Sequence, residues 1–545
     1  MESLEKSKKD AWLPWFYRGI LFVFFAFLFA RLIDLQIIKG KYFKSLSDEN
    51  RIRRVTIDAA RGKILSRNGR TLADNKIIER AIIFDPKEGY LKEDTWSNET
   101  EKKLIKETIR FYPISEFFAH LGGFINEANE NEVGRISQGC EEKGIVVLGQ
   151  KVGRGGIEQK YDCVLRGING EMLIEIEAGG KKIRDLGMKD PIAGQDIKTN
   201  IDYDLQIKIS ELMKDKKGAV IVSDFNSNIL AMFSSPSFDP NRFNSKIDKE
   251  YKNQILKRKD LPFFNRAISG TYPPGSIFKP LVLIAAFSEG SINKDFTFLD
   301  EGFIEIKTIY GSFRYDNWYF TQYGRVEGEV DAKKALARST DTFFYKVGEI
   351  LGVKKLAKWG EIFGLNEITG IDLPGEVSGI VPNPEWKKKT KGEKWFLGNT
   401  YHLSIGQGDL LVTPIGIHQA LSSIAGRGKL CKPQIVFSES KICKDLNVSD
   451  DVFDFVQDAM VQACSQGGTG FTFFEINEKN PGRVACKTGT AETFDDSEPH
   501  SWFYFFTNGL KENINVTVLV ENGGEGSKVA GSVAREIYDF WVNGG

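Results

Sequence analysis

The pattern of apolar and polar positions divides the chain into three stretches. From Ala11 to Ala30 it reads AWLPWFYRGILFVFFAFLFA, apolar on every side, with Arg18 as the single charge. Twenty such residues suffice to cross about 30 Å of hydrocarbon. The strictly uncharged part, Gly19–Ala30, is only 12 residues long. Arg18 must therefore reach toward the headgroups, beside Trp12, Trp15 and Tyr17 at the interface. A signal peptide cleaved after Ala30 would put Leu28 where a small residue is needed. The expectation is a retained transmembrane anchor over 11–32 that follows a tail, 1–10. Lys6, Lys8 and Lys9 precede it and Arg31, Lys39, Lys41 and Lys44 follow it, so charge does not orient the span. No other long apolar run follows, which makes a single-pass protein.

Residues 46–196 turn to short runs that predict a β-rich, non-catalytic support domain. Arg61–Ala73 reads as a hairpin with a type I′ turn at Asn68-Gly69. Glu101–Phe111 is predicted as a short helix, and Gly153–Gly170 is punctuated by glycine around Ile157-Glu158 and Tyr161. Residues 197–545 alternate differently. Gly194–Ile201 predicts a strand, and Asp202–Lys217 a helix with Leu205, Ile209 and Leu212 on one face. Gly218–Val222 and Asn228–Phe233 predict two antiparallel strands. Helices are expected at Ser276–Glu289 and over Ala332–Leu351, the latter interrupted near Ser339. Strands return at Gly482–Cys486, Trp502–Thr507 and Ile514–Glu521, before a last helix over Ser532–Trp541. Strands, helices, strands and a helix in that order give the α+β class with an antiparallel sheet.

Composition narrows this picture. The 545 residues are too many for one core, so two or three domains are expected. Charged residues are 27% and hydrophobic residues 41%, a globular balance. Lys and Arg number 74, as do Asp and Glu, which gives no support for a nucleic-acid partner. Six cysteines, with no Cys-x-x-Cys, argue against zinc and read as small buried hydrophobes rather than a disulfide framework. Only four histidines occur, which disfavours chemistry that needs several imidazoles.

The chemistry lies in an ordered triple. Ser276 and Lys279 form a Ser-x-x-Lys within Thr271–Pro280, Ser339-Thr340-Asp341 follows, and Lys487-Thr488-Gly489 lies far downstream. Ser-x-x-Lys recurs at Ser3, Ser291 and Ser438, whereas Lys-Thr-Gly occurs once; order and spacing carry the signal. The triple indicates a serine acyl-transfer site of the penicillin-recognising kind. Pro273-Pro274-Gly275 blocks helix before Ser276, and Pro280 is tolerated only near a helix start. Ser276 is thus expected at a helix N-terminus, where developing negative charge is favoured, with Lys279 on the same face. A serine hydroxyl needs a base. Lys279 can serve only if neutral, which burial and a nearby cation such as Lys487 would favour. Ser339 reads as a helix N-cap and as a proton relay between Lys279 and the leaving amine. Asp341 would hold a substrate amide or a neighbouring lysine. Lys487, Thr488 and Thr490 on a strand would bind a substrate carboxylate, and Gly489 would let substrate backbone approach. The N–H groups of Ser276 and Thr490 are the expected oxyanion hole.

These motifs resemble the class B (monofunctional) penicillin-binding proteins, which are peptidoglycan D,D-transpeptidases. The resemblance runs through Arg61-Gly62, Arg67-Asn68-Gly69, Leu72-Ala73, Gly156-Ile157-Glu158, Tyr161, Asn265-Arg266-Ala267, Gly406-Gln407-Gly408 and His500–Phe503. Tyr272 before the prolines, and Ser-x-Asp followed by Thr-Phe-Phe-Tyr345, resemble the elongation subgroup more than the division subgroup. The resemblance implies a penicillin-binding transpeptidase domain over 197–545 on an elongated pedestal over 46–196. It implies acylation of Ser276 by a stem pentapeptide with loss of D-alanine, 4→3 crosslinking, and inhibition by β-lactams. The tail would be cytoplasmic, the anchor in the inner membrane and the catalytic domain periplasmic. Partners would be the rod-complex polymerase that uses lipid II and a scaffold protein at the pedestal. No cofactor is implied. Some elongation-type members bind zinc through Asp, His and Cys; here Tyr315–Gly324 keeps Asp316 without a nearby His or Cys, so no zinc is expected. The residues leave the acceptor open, so a carboxypeptidase and a β-lactam-hydrolysing or sensing relative stand beside the transpeptidase.

Overall fold

The computed structural model describes all residues except 1–11, 86–88, 95–103, 135–139, 144, 178–181, 244–247, 310, 494–496 and 545. The whole predicted tail, 1–10, the first position of the predicted anchor and the first three positions of the predicted 101–111 helix lie outside the described residues. The chain forms two compact units, one of residues 1–60, 77–108 and 167–193, the other of 61–76, 109–166 and 194–545. Beyond the anchor, sequence predicts a single boundary between folded domains, at 196/197, whereas these two units interleave along the chain.

The first unit begins with the apolar helix Leu13–Ile33, extended by a π-helical turn to Ile38. Among the described residues it is the one helix long and apolar enough to cross a membrane. Strands Ile52–Ile57, Gly170–Ile176 and Lys182–Lys189 form an antiparallel sheet. Its small core holds Val55, Met172, Ile174 and Ile176. The region predicted as helix 101–111 is instead a strand, Leu104–Phe111, paired with Thr71–Asp85. Its Ile105, Thr108 and Ile109 are β-branched, and strand pairing overrides the helical spacing.

In the second unit, Ile64–Leu65 pairs with the start of Thr71–Asp85 as expected, but the turn differs. Gly69 takes φ +80° while Asn68 does not enter the left-handed region, and Gly69 N–H donates to Ser66 O. This is a type I turn closed by a glycine bulge, not type I′. The strand expected at Gly194–Ile201 shrinks to Ile197–Lys198.

The dominant element is a five-stranded antiparallel sheet: β1 (Gly218–Asp224), β2 (Ile229–Ser235), β3 (Val484–Ala491), β4 (His500–Thr507) and β5 (Ile514–Val520), in the order β2-β1-β5-β4-β3. Both faces are buried, and alternate residues serve each one. Trp502, Tyr504 and Phe506 enter the larger core; Phe503 and Phe505 enter the core under α1 (Tyr203–Leu212) and the C-terminal helix Val529–Val542. Helix α1 stops at Leu212, five residues before the expected end. Its start is fixed by Asp202, whose carboxylate accepts from Leu205 N–H.

Against the other face lies α2 (Lys279–Ser288), with Lys279 to Ala286 all buried. A helix apolar on every side is stable only inside a core, and each large side chain buried there contributes about 1.5–3 kcal/mol. Leu283→Asp would break it. The helix expected over Ala332–Leu351 is indeed interrupted, giving α3 (Ala332–Arg338) and α4 (Asp341–Leu351).

The six cysteines are not free: Cys140–Cys163, Cys431–Cys443 and Cys464–Cys486 are disulfides. This corrects the reading of them as simple buried hydrophobes. Partners 22 or 23 residues apart, as in two of these pairs, have no local signature, because only the tertiary fold brings them together.

Candidate active site

Ser276 lies in a 3₁₀ turn, Gly275–Phe278, and Lys279 begins α2. In such a turn positions i and i+3 eclipse, which sets Ser276 and Lys279 on one side. Gly275 takes φ +57°, a conformation that favours glycine. Its N–H donates to Gly406 O at 2.8 Å, and Trp502 Nε1 donates to Pro273 O at 3.0 Å. Tyr272 Oη donates to Glu521 Oε1 at 2.6 Å, and Arg266 Nε donates to the same oxygen. The nucleophile turn is therefore tied to β4 and to the residue after β5.

Lys279 is fully buried. Its Nζ donates to Ser339 O (2.7 Å), Ser339 Oγ (3.1 Å) and Asp341 Oδ1 (2.7 Å). Among the described residues Ser276 Oγ forms no hydrogen bond, so Lys279 must release one of these contacts to take its proton; such contacts tighten on substrate binding. Burial pushes Lys279 below its ordinary pKa, while Asp341 opposes that shift.

Lys487 is also fully buried and donates to Thr488 O at 3.0 Å. Burial, and then the charge of Lys279, hold its pKa well below the ordinary lysine value, with Asp341 opposing. The two ammonium groups repel each other, so the pair disfavours carrying two charges at once.

Two expected roles change, those of Ser339 and Gly489, and a third, that of Asp341, narrows to one of its alternatives. Ser339 is not an N-cap but the left-handed C-cap of α3, at φ +59° and ψ +36°; Thr340 occupies the N-cap of α4. Asp341 is committed to Lys279 and to Trp318 N–H, which donates to Oδ2 at 3.0 Å. Of the two expected roles it takes the lysine. At Gly489 an added Cβ would sit 3.0 Å from both Ile277 Cγ2 and Trp502 Cβ. The close approach there is made by the nucleophile turn, not by space left for substrate.

The remaining strand residues line the edge. Thr488 Oγ1 donates to Thr469 Oγ1 at 2.9 Å. Thr490 is exposed, and its Oγ1 accepts from Gly526 N–H at 3.1 Å. A Cβ on Gly275 would lie 3.0 Å from Thr490 O, so the backbones of the expected oxyanion donors are neighbours.

Sequence reasoning missed the support of this cluster. Trp318 Nε1 donates to Arg338 O, the carbonyl before Ser339, at 3.0 Å. Asn317 Oδ1 accepts from Asp341 N–H at 3.1 Å. In sequence the Tyr315–Gly324 segment offers only Asp316 as a candidate metal ligand, and long-range hydrogen bonding leaves no period there. Asp316 is exposed and accepts from Arg314 Nε at 2.5 Å. Among the described residues no group of three or more His, Cys, Asp or Glu is arranged to hold a metal.

The family model of the penicillin binding protein transpeptidase domain matches residues 217–539, more than half of the chain. The chain belongs to the penicillin-binding protein transpeptidase family. A second model, the penicillin-binding protein dimerisation domain, matches residues 103–199. Relatives match over nearly the full length. The peptidoglycan D,D-transpeptidase MrdA of Acinetobacter baumannii is 29% identical across 96% of this chain and 86% of its own. MrdA of Escherichia coli K12 is 29% identical across 95% and 92%. Among solved structures, PBP2 of Pseudomonas aeruginosa in complex with WCK 5153 aligns with TM-score 0.72 and 28% identity, over 90% of this chain and 96% of that one. PBP2 of Helicobacter pylori, in complex with MreC, aligns with TM-score 0.75 and 25% identity, over 90% and 99%.

Proposed function

We propose that this chain is an elongation-type peptidoglycan D,D-transpeptidase with Ser276 as its nucleophile. The observation that carries the reading is the buried Lys279, bound to Ser339 and Asp341 three residues from a serine pinned in a tight turn. MrdA relatives of nearly full length support it.

In this reading neutral Lys279 takes the Ser276 Oγ proton as Oγ bonds to the carbonyl carbon of the penultimate D-alanine. The N–H groups of Ser276 and Thr490 receive the oxyanion. The C–N bond then breaks, and the proton passes from Lys279 through Ser339 Oγ to the departing D-alanine nitrogen. An amine of a second stem attacks the ester, gives up a proton by the same route, and frees Ser276 with a 4→3 crosslink. Thr488 and Thr490 hold the terminal carboxylate, with Lys487 buried behind them, and Asp341 holds Lys279. Gly489 admits the nucleophile turn. β-Lactams would acylate the same serine.

The apolar helix would anchor the chain in the inner membrane with its N-terminus cytoplasmic. Three disulfides beyond that helix support an oxidising compartment, the periplasm, for the rest. We read 46–196 as the pedestal and 197–545 as the transpeptidase domain. By analogy with the H. pylori PBP2–MreC complex, a scaffold protein would bind the pedestal, and a lipid II polymerase would supply glycan.

The test is covalent labelling of the full chain by a fluorescent penicillin. A stable adduct on wild type that is lost in Ser276→Ala is expected; labelling of Ser276→Ala would overturn the assignment.

A further inference from the structure

The catalytic reading leaves unused the deepest carboxylate of the region. Asp300 is 1% exposed. Its Oδ1 accepts from Gly302 N–H (3.0 Å) and Thr342 Oγ1 (2.7 Å). Its Oδ2 accepts from Asn317 Nδ2 (2.9 Å) and Glu327 N–H (2.9 Å). Four donors fill its lone pairs, and among the described residues it has no cationic partner. A buried carboxylate so satisfied is rigid, and removing one partner leaves the others unpaired.

The hydrogen bonds continue to the catalytic lysine. Asn317, fully buried, turns its amide nitrogen to Asp300 and its oxygen to Asp341 N–H at 3.1 Å. The next peptide donates from Trp318 N to Asp341 Oδ2 at 3.0 Å, and Asp341 Oδ1 accepts from Lys279 Nζ at 2.7 Å. Thr342, held to Asp300, directly follows Asp341. Asp341 is thus fixed at its backbone, its free oxygen and its neighbour, each contact leading back to Asp300.

We propose that Asp300 and Asn317 are positioning residues for acyl transfer, which fix the Asp341 carboxylate and through it the place of the Lys279 ammonium. The proposal rests on the catalytic reading above. Neither residue touches Ser276 or Lys279; both act through Asp341. Asp300→Asn would turn an amide nitrogen toward two of the four incoming donors, and with that nitrogen at the Oδ2 place would release Asn317 and, with it, the Trp318 peptide. A purely structural role would change only how much protein folds.

The experiment measures the acylation rate constant of folded, full-length protein in detergent with fluorescent penicillin across pH, beside thermal melting. The charged groups facing Lys279 are Asp341 on α4 and Lys487 on β3. Asp300→Asn is expected to lower the plateau rate about tenfold to a hundredfold and to move the acid limb to lower pH, because Lys279 loses its counter-ion. Thr342→Val, a gentler removal of one donor, is expected to act in the same direction by a few-fold, and it decides the matter if Asp300→Asn does not fold. Folded variants with the wild-type rate and an unmoved limb would overturn the proposal. A label that persists on Ser276→Ala would instead sink the underlying catalytic reading.

Discussion

At Glu158, two guanidinium groups share one fully buried carboxylate: Arg110 Nε at 2.6 Å and Arg61 Nε at 2.9 Å. Arg61 also reaches Asp162, and Arg110 reaches Gly62 O. At Lys279 the arrangement is leaner, with two buried lysines and one carboxylate between them. Burial alone would raise Glu158, but Arg110 and Arg61 outweigh it, and its pKa lies below the ordinary range. At the lysines burial wins, and both are pushed down. Burial with full pairing makes a charged staple; burial with a deficit of counter-charge makes a base. The second is the pattern expected of a functional site.

The largest expected effect follows from removing the base. Lys279→Met should lower penicillin acylation by about 10²- to 10⁴-fold per folded molecule; because it also leaves the Asp341 carboxylate without its lysine, melting is measured beside it. Acylation kinetics at the wild-type rate would erase the contrast between the clusters.

Glu158→Gln should do the reverse. It leaves Arg61 and Arg110 buried without their shared carboxylate, at a cost of about 3–5 kcal/mol in stability. Urea denaturation would read that loss, while acylation per folded molecule stays unchanged.

A smaller, pH-dependent effect comes from His418 and His120, which among the described residues have no carboxylate partner. His418 lies between Thr517 Oγ1 and Ser223 Oγ, and burial pushes its pKa from 6.5 down to about 3. His120 is pushed down to about 4 by burial. Each folded value lies below the unfolded one, so the unfolded chain binds more protons between them and stability falls as pH drops below 6.5. Each histidine contributes at most about 1.4 kcal/mol per pH unit. Denaturation between pH 6 and 4 should show the loss, with a shallower slope in His418→Gln.

The smallest concerns the link behind the catalytic strand. Thr469→Val removes the hydroxyl that accepts from Thr488 Oγ1, and should cost about 1 kcal/mol with a few-fold change in acylation. An unchanged rate would show that Thr488 does not need this support.

The sequence made the chemistry legible because the reacting residues must be of particular types at particular spacings. Ser276, Lys279, Ser339, Asp341 and Lys487 could be named before any geometry. The strands of the central sheet and the break at Ser339 were legible from period and composition. What was not legible depends on contacts between distant segments. Leu104–Phe111 is a strand because a partner strand lies beside it. Cys464 and Cys486 pair because the fold brings Ala463 close to β3. Asp300 and Asn317 look like ordinary turn residues until their partners are known. Gly489 read as room for substrate, and only the packing of Ile277 shows which neighbour occupies that room.

Ser339 holds its backbone in a region that residues with a side chain rarely visit. A glycine there would relax the turn, and by that measure the chain carries the wrong residue. Ser339→Gly should therefore yield a more robust fold and a poorer catalyst, because the hydroxyl that meets Lys279 disappears with the strain. The turn is a place where selection has accepted a weaker scaffold to keep one oxygen atom.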